Sequence, residues 1–160
     1  MIDVAIAFVL SNVPTIMFVA GFILAAVTRS PPYFPARLLR WLLLSTGIAY
    51  AWAGFFHIAF PQIAAASIGW KVSPFQFEIG VADVSIGIVA IVSFWRGLDF
   101  QAPIVGYFSL FSFGVAYGHV RQAIEAGDFS KNNFGILLVI TVILAALLPV
   151  LYLVARREKV

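Results

Sequence analysis

Two histidines and two carboxylates lie toward one end of three apolar segments of this sequence. His57 is near the end of the second apolar segment, and His119 is near the end of the fourth. Glu78 and Asp83 lie in the first half of the third. Imidazole and carboxylate groups suit Zn, Mn and non-haem Fe, and helical bundles build such sites from inward-facing side chains. The four residues therefore predict a site for a divalent transition metal.

The spacing of these residues is less informative than their types. Neither the Glu-x-x-His pair of di-iron bundles nor the His-Glu-x-x-His zinc motif is present. Two histidines on different helices also suit the axial positions of one haem, with the 16 Phe residues packing around the macrocycle. Haem binding leaves Glu78 and Asp83 without a role, so a metal ion is the first hypothesis and haem the second.

Two further interpretations of these polar residues stay open. In a proton-coupled transporter or channel, Glu78 and Asp83 would act as relay groups, because intramembrane carboxylates often mark proton paths. In a structural or accessory subunit of a membrane complex, the same groups would only satisfy one another, for example through a Glu78–Arg121 pair.

Other polar and aromatic side chains are expected to surround the pocket. At 1.5 Å per residue, His57, Glu78 and His119 lie about 5 to 6 Å from the nearest helix end. Asp83 and Asn12 lie about 12 to 13 Å from it, on the same side of the membrane. The residues predicted to support the site are Asn12, Tyr50, Trp70, Gln76 and Arg121.

The composition places these residues in a membrane. Of the 160 residues, 62% are apolar and 11% are charged, which leaves too little polar surface to cover a small soluble globule. A soluble enzyme, a disordered chain and a nucleic-acid-binding domain are therefore disfavoured, and the lipid bilayer is the expected partner. Because there is no Cys, disulfides and thiolate metal sites are excluded.

Five apolar segments are long enough to cross a bilayer core about 30 Å thick. They are bounded by charged residues, proline or glycine, and they cover residues 4–27, 38–60, 74–95, 102–122 and 134–154. Residues 62–73 are apolar but too few to cross, so we expect an interfacial or re-entrant segment that covers the pocket. The sequence predicts an all-α bundle of five transmembrane helices, forming a single domain over residues 1–160.

The basic residues predict how the bundle is inserted. An outside amino terminus and a cytoplasmic carboxyl terminus satisfy the positive-inside rule, because more basic residues then face the cytoplasm. The residues inside are Arg29, Arg37, Arg40, Arg96, Arg156, Arg157 and Lys159, and those outside are Lys71, Arg121 and Lys131. The net charge of +3 therefore reports insertion and gives no reason to expect a nucleic-acid partner.

Stripes of small residues predict where helices approach closely, because tight backbone packing drives helix association in lipid. One stripe consists of Gly47, Ala51 and Gly54, and another combines Gly80 and Gly87 with Asp83. A third consists of Gly114 and Gly118 on the fourth segment. We expect this last face to contact a second copy of the chain or a partner in a membrane complex.

Three stretches of the sequence resemble an uncharacterised family of small bacterial multi-pass membrane proteins. They are residues 53–58 (AGFFHI), 68–83 (IGWKVSPFQFEIGVAD) and 117–122 (YGHVRQ), and the Ser-Pro-Phe-Gln-Phe-Glu segment is the most specific part. The resemblance implies a multi-pass protein of the prokaryotic cytoplasmic (inner) membrane. It draws attention to His57, Gln76, Glu78, Asp83 and His119. It supplies no activity, substrate or cofactor.

Together these features predict a polar pocket in the outer leaflet. His57, Glu78 and His119 would bind the metal, and Asp83 would serve as a further ligand or orient the others. If the protein is an enzyme, the metal would activate water or oxygen for reaction with a lipophilic or small substrate.

Overall fold

The computed structural model describes the backbone from Ile2 to Glu158 and the side chains from Ser11 to Glu158. Within these residues all regular secondary structure is helical, which confirms the predicted all-α class. The helices are α1 (Ile2–Val27), α2 (Phe34–Ala59), α3 (Pro61–Ser67), α4 (Phe75–Ser93), α5 (Leu98–Ala126) and α6 (Ile136–Arg157). The five long helices occupy the five predicted apolar segments, extended or shortened by up to about one turn. Lys159, which was assigned to the cytoplasmic side, lies outside the described residues.

Proline and glycine set the ends of these helices, as their backbone chemistry requires. Pro35 and Pro61 stand in the first turns of α2 and α3, where a missing N–H costs nothing. Gly127 follows α5 with φ 66°, the left-handed conformation that commonly ends a helix. Residues 62–73 are divided between the short α3 and an irregular segment of residues 68–74, which agrees with the expectation that they are too few to cross.

Three helices are long and apolar enough to cross a membrane, namely α2, α4 and α6. In α1 the described side chains give an apolar segment, Ser11–Val27, that is shorter than a span requires. Helix α5 is long, but its Ser, Gly, Tyr and charged residues dilute its apolar content. The structure therefore supports a membrane protein with three candidate spans, and the count of five and the orientation stay predictions.

Helix α2 contacts α1, α3, α4 and α6, and among the described residues its contact with α4 is the most extensive between two helices. A Cβ atom added at Gly47 would lie 2.7 Å from the carbonyl oxygen of Gly87. One added at Gly54 would lie 2.6 Å from the carbonyl oxygen of Gly80. Only glycine allows this backbone approach, so these two small-residue stripes are confirmed as packing faces, and the structure shows that they pack against each other.

Apolar packing fills one half of the bundle and leaves the other half for a cavity. The fully buried side chains Leu39, Leu42 and Leu43 of α2 pack with Phe108 of α5 and Leu148 of α6. The three leucines belong to the first half of α2, the half away from α3. The polar residues predicted to form a site belong to the other half.

Candidate functional site: a cavity beneath the segment that follows α3

A cavity of about 460 Å³ opens in the half of the bundle next to α3. Side chains from α1, α2, α4, α5 and α6 form its walls, and residues of the segment 68–73 cover it. Most of the wall is apolar, with Phe18, Phe111 and Leu144 among its larger side chains. Its volume lies within the range of roughly 300 to 1,000 Å³ that is usual for small-molecule pockets.

Asp83 is the most deeply buried ionisable group that lines the cavity. Its side chain is 7% exposed, and its Oδ1 atom has no hydrogen-bond partner among the described residues. It follows Gln76, another lining residue, by two turns of α4, or about 10 Å along the helix axis. Burial of an unpartnered carboxyl oxygen costs free energy, so we expect a ligand or a solvent molecule in the cavity to bind this atom.

His57 brings a second unpartnered polar atom to the same cavity. Its ring is half-buried, and its Nδ1 atom is buried without a hydrogen-bond partner. The position of the side chain follows from the close packing of α2 on α4, because a Cβ atom added at Gly80 would lie 3.0 Å from His57 Cβ. Glycine at position 80 therefore leaves the space that His57 uses.

The His119 ring is hydrogen-bonded to a buried asparagine, Asn133. Its Nδ1 atom lies 2.6 Å from Oδ1 of Asn133, whose side chain is fully buried. The Asn133 amide nitrogen donates to two carbonyl oxygens, those of His119 at 3.3 Å and Asp128 at 2.7 Å. These two bonds fix which amide atom is the oxygen. The oxygen can only accept, so Nδ1 of His119 carries a hydrogen, and Nε2 is an acceptor whenever the ring is neutral.

Trp70 and Gly69 attach the covering segment to this histidine network. The Trp70 ring lies over the His119 ring with centroids 5.3 Å apart. Gly69 has φ 77°, and a Cβ atom added there would lie 2.7 Å from Oδ1 of Asp128. That oxygen also accepts a hydrogen bond of 3.0 Å from the Ser130 backbone N–H. The segment therefore passes directly over the Asp128 carboxylate.

The loop environment keeps Asp128 ionised. The pKa of its carboxyl is lowered chiefly by the Ser130 hydroxyl and backbone N–H beside it, and further by Trp70 and His119. Donors that stabilise a carboxylate lower its pKa in this way. The covering segment therefore contacts a negatively charged group, the Asp128 carboxylate, at Gly69.

The other end of the covering segment is fixed by Gln76. Its Nε2 atom donates a hydrogen bond of 2.7 Å to the carbonyl oxygen of Pro61. This bond joins the first turn of α4 to the first turn of α3. Gln76 thus supports the site as expected, by holding the two helices that flank the segment.

The structure brings six of the predicted residues to one cavity. They are Tyr50, His57, Trp70, Gln76, Asp83 and His119. Tyr50 also forms a hydrogen bond of 3.1 Å with Ser112 across α2 and α5. Their positions along the sequence predicted that they lie at one end of the bundle, and the tertiary structure brings them to the same cavity.

Three predicted residues lie elsewhere. Glu78 is exposed, because five residues of helix turn it about 140° from Asp83, which faces the bundle. Arg121 is exposed and pairs with Glu125 at 2.8 Å, so the Glu78–Arg121 pair is not formed. Asn12 is half-buried on α1 and is not part of the cavity wall.

The predicted metal site has no matching ligand group. Among the described side chains, no three His, Asp or Glu residues lie close enough together to hold one ion. His57, Asp83 and His119 share the cavity without forming such a group. Binding of Zn, Mn, Fe or haem stays a prediction from residue types.

The sequence reasoning missed Lys71, Asn133 and Asp128. Lys71 lines the cavity and is exposed at its rim. Asn133 and Asp128 lie in the loop between α5 and α6, and no helical periodicity applies there. The only signal in the sequence was the pair of asparagines at positions 132 and 133.

A family model described as a family of unknown function (DUF6790) matches residues 11–160. The chain belongs to this family. The match includes every residue of the cavity wall, and it confirms the resemblance to an uncharacterised family. No curated protein and no solved structure matches the chain.

On α5, Gly114 is exposed and Gly118 lines the cavity. A Cβ atom added at Gly106, Gly114 or Gly118 would meet nothing within 4 Å. The predicted contact of the Gly114 and Gly118 face with a second copy or a membrane-complex partner therefore stays a prediction.

Proposed function

We propose that the protein is a five-span protein of a prokaryotic cytoplasmic membrane that binds a small lipophilic molecule in its cavity. In this proposal α1 and α5 cross the membrane beside α2, α4 and α6. The amino terminus and the α3 end, where the cavity lies, face the outside. The arrangement of basic residues supports this orientation, because Arg37 and Arg96 lie at the end opposite α3.

The observation that carries the proposal is the burial of Asp83 without a hydrogen-bond partner for its Oδ1 atom among the described residues. A carboxyl oxygen without a partner lies in an otherwise largely apolar cavity of about 460 Å³. Such pockets bind mostly apolar ligands and use a few polar groups to orient them. Asp83 and His57 are the groups that would receive the polar part of the ligand.

The apolar wall defines the rest of the ligand. Phe18 of α1, Phe111 of α5 and Leu144 of α6 lie on different sides of the cavity. Transfer of an alkyl chain from water to such surfaces is favourable by about 0.8 kcal/mol for each methylene group. For a chain already dissolved in lipid, affinity comes instead from packing and from the polar groups. A membrane also concentrates lipophilic molecules next to the protein, so a ligand of this kind is available to the site.

Filling the cavity tests the proposal. The probes are three compounds with the same chain, 1-dodecanol, dodecylamine and dodecanoic acid, and binding is measured by native mass spectrometry in phosphatidylcholine nanodiscs. We expect saturable binding of one molecule of at least one probe. Ala53→Phe should abolish it, because Ala53 lines the cavity. Ala59→Phe is the matched control, since Ala59 is exposed at the end of the same helix.

Val115→Phe provides a second test from the α5 wall if Ala53→Phe does not fold. Both variants are first checked by circular dichroism and size-exclusion chromatography. Absence of saturable binding of all three probes contradicts the proposal. So does binding that folded cavity-filling variants retain in full.

The orientation has a separate test that uses the absence of cysteine in the chain. Lys131→Cys and Arg96→Cys each introduce one exposed thiol, at opposite ends of the bundle. A membrane-impermeant thiol reagent applied to intact spheroplasts should label Cys at 131 and leave Cys at 96 unlabelled until the cells are lysed. The reverse pattern would invert the proposed topology.

A further inference from the structure

Among the described residues, the buried polar atoms of the cavity wall that have no hydrogen-bond partner are Asp83 Oδ1 and His57 Nδ1. Building on the proposed function, we infer that the ligand is a lipophilic amine whose ammonium group pairs with Asp83. Its apolar part would lie against the aromatic and aliphatic wall of the cavity.

No cation among the described residues forms an ion pair with Asp83. Among the described residues, the ion pair formed is that of Arg121 with Glu125, on the surface of α5. Lys71 is the one lysine or arginine in the cavity wall, and it is exposed at the rim without contacting Asp83 Oδ1. A buried carboxylate needs a charged or hydrogen-bonding partner, and the described residues supply none to Asp83 Oδ1.

The two histidines can offer further acceptor atoms to a ligand in the cavity. Asn133 fixes His119 with a hydrogen on Nδ1, which leaves Nε2 as an acceptor whenever the ring is neutral. His57 presents an unpartnered Nδ1 atom that accepts in one of its neutral tautomers. A primary ammonium group has three donors and no acceptor, so it complements a wall of this kind.

Aromatic rings in the wall of the same cavity favour a cation over a neutral group. Tyr50 and Phe111 line the cavity with ring centroids 6.2 Å apart, and Phe18 lines it from α1. The negative faces of such rings attract ammonium groups, most strongly where water is excluded. Fatty acids would instead bring a second negative charge toward Asp83.

The test compares dodecylamine with 1-dodecanol and dodecanoic acid, which differ from it only in the polar group. We expect wild-type protein in phosphatidylcholine nanodiscs to bind the amine at least about tenfold more tightly than the alcohol. Asp83→Asn should remove this preference, because the amide has the same shape and no charge. Glu78→Gln is the matched control, since it removes one carboxylate from an exposed position of the same helix.

Equal affinity for the amine and the alcohol overturns the inference, as does retention of the preference in Asp83→Asn. Loss of the preference in Glu78→Gln also overturns it, because a general charge effect would then explain the binding. If the amine is not preferred but Ala53→Phe abolishes binding of the alcohol, the inference fails and the proposed function stands. If no probe binds in a cavity-dependent manner, both fail.

Two sources of an alkyl ammonium group exist in a membrane, a free amine and an aminolipid headgroup. Repeating the titration in nanodiscs with excess phosphatidylethanolamine distinguishes them. Competition with dodecylamine identifies the aminolipid as the occupant. An unchanged amine affinity identifies a free amine.

Discussion

The Nδ1 atom of His119 lies 2.6 Å from the side-chain oxygen of Asn133, at the point where α5 meets the loop before α6. This contact joins the loop to the cavity, because His119 lines the cavity and the ring of Trp70, in the covering segment, lies 5.3 Å from the His119 ring. Asn133 is fully buried and makes three hydrogen bonds with its side chain. The chemistry available at His119 therefore depends on a residue that has no contact with the ligand space.

Asn133→Ala should destabilise the protein. It leaves His119 Nδ1 and two carbonyl oxygens without their partner, which costs about 1 to 3 kcal/mol for each group that stays buried. Thermal unfolding in detergent measures the loss, and Asn132→Ala is the control because Asn132 is only half-buried. Equal unfolding temperatures for the two variants would show that the network adds no stability.

Gly54→Ala should separate α2 from α4. The added methyl group would lie 2.6 Å from the carbonyl oxygen of Gly80, so the helices must move apart at a cost of about 1 to 3 kcal/mol. Gly106→Ala is the matched control within α5, where nothing lies within 4 Å. There alanine should stabilise the helix by up to about 1 kcal/mol. A stabilising effect of Gly54→Ala in the same unfolding assay would contradict the packing of these two helices.

Gly69→Ala should displace the segment that covers the cavity. Gly69 and Gly127 both have positive φ, so alanine at either costs about 1 to 2 kcal/mol in backbone strain. Only at Gly69 does the added methyl group also meet a side chain, the Asp128 carboxylate at 2.7 Å. We therefore expect Gly69→Ala to change the environment of Trp70 and Gly127→Ala to leave it unchanged. Tryptophan fluorescence of each variant in a Trp41→Phe, Trp52→Phe, Trp95→Phe background measures this, and a shift of equal size in both would show that strain alone is responsible.

Metal analysis of the purified protein tests the prediction that the residue types made first. Since no three His, Asp or Glu side chains gather among the described residues, we expect less than one equivalent of any transition metal. His57→Ala and His119→Ala should then leave the trace metal content unchanged. One equivalent of metal in the wild type, lost in both variants, would establish the metal site despite this arrangement.

Helical periodicity accounts for what could be predicted of the site. The residues of α2 and α4 are ordered by turns of the helix, so small residues on one face predicted close packing, and Asp83 on that face predicted burial. The same periodicity placed Glu78 about 140° away from Asp83. It could not decide whether another element reaches Glu78, and in the structure none covers it.

The positions of residues in the loops could not be predicted from the sequence. The position of Asn133 depends on the path of the chain between α5 and α6, and that of Gly69 on the path between α3 and α4. Neither path follows a repeating pattern, because it is set by contacts between residues far apart in sequence, such as Gly69 and Asp128. The network behind His119 was therefore invisible before the fold was known.

The sequence by itself determined that the chain is all-α with segments long and apolar enough to span a membrane, since apolar length and the placement of proline and glycine depend only on local chemistry. It also determined which polar residues lie at one end of the bundle. Only the tertiary structure decided which of them meet. It brought His57, Asp83 and His119 to one cavity, left Glu78 outside it, and gathered no three-residue ligand group for a metal among the described side chains. The physical reason is that depth along a helix follows from residue number, whereas contact between helices depends on the rotation and spacing that glycine packing imposes.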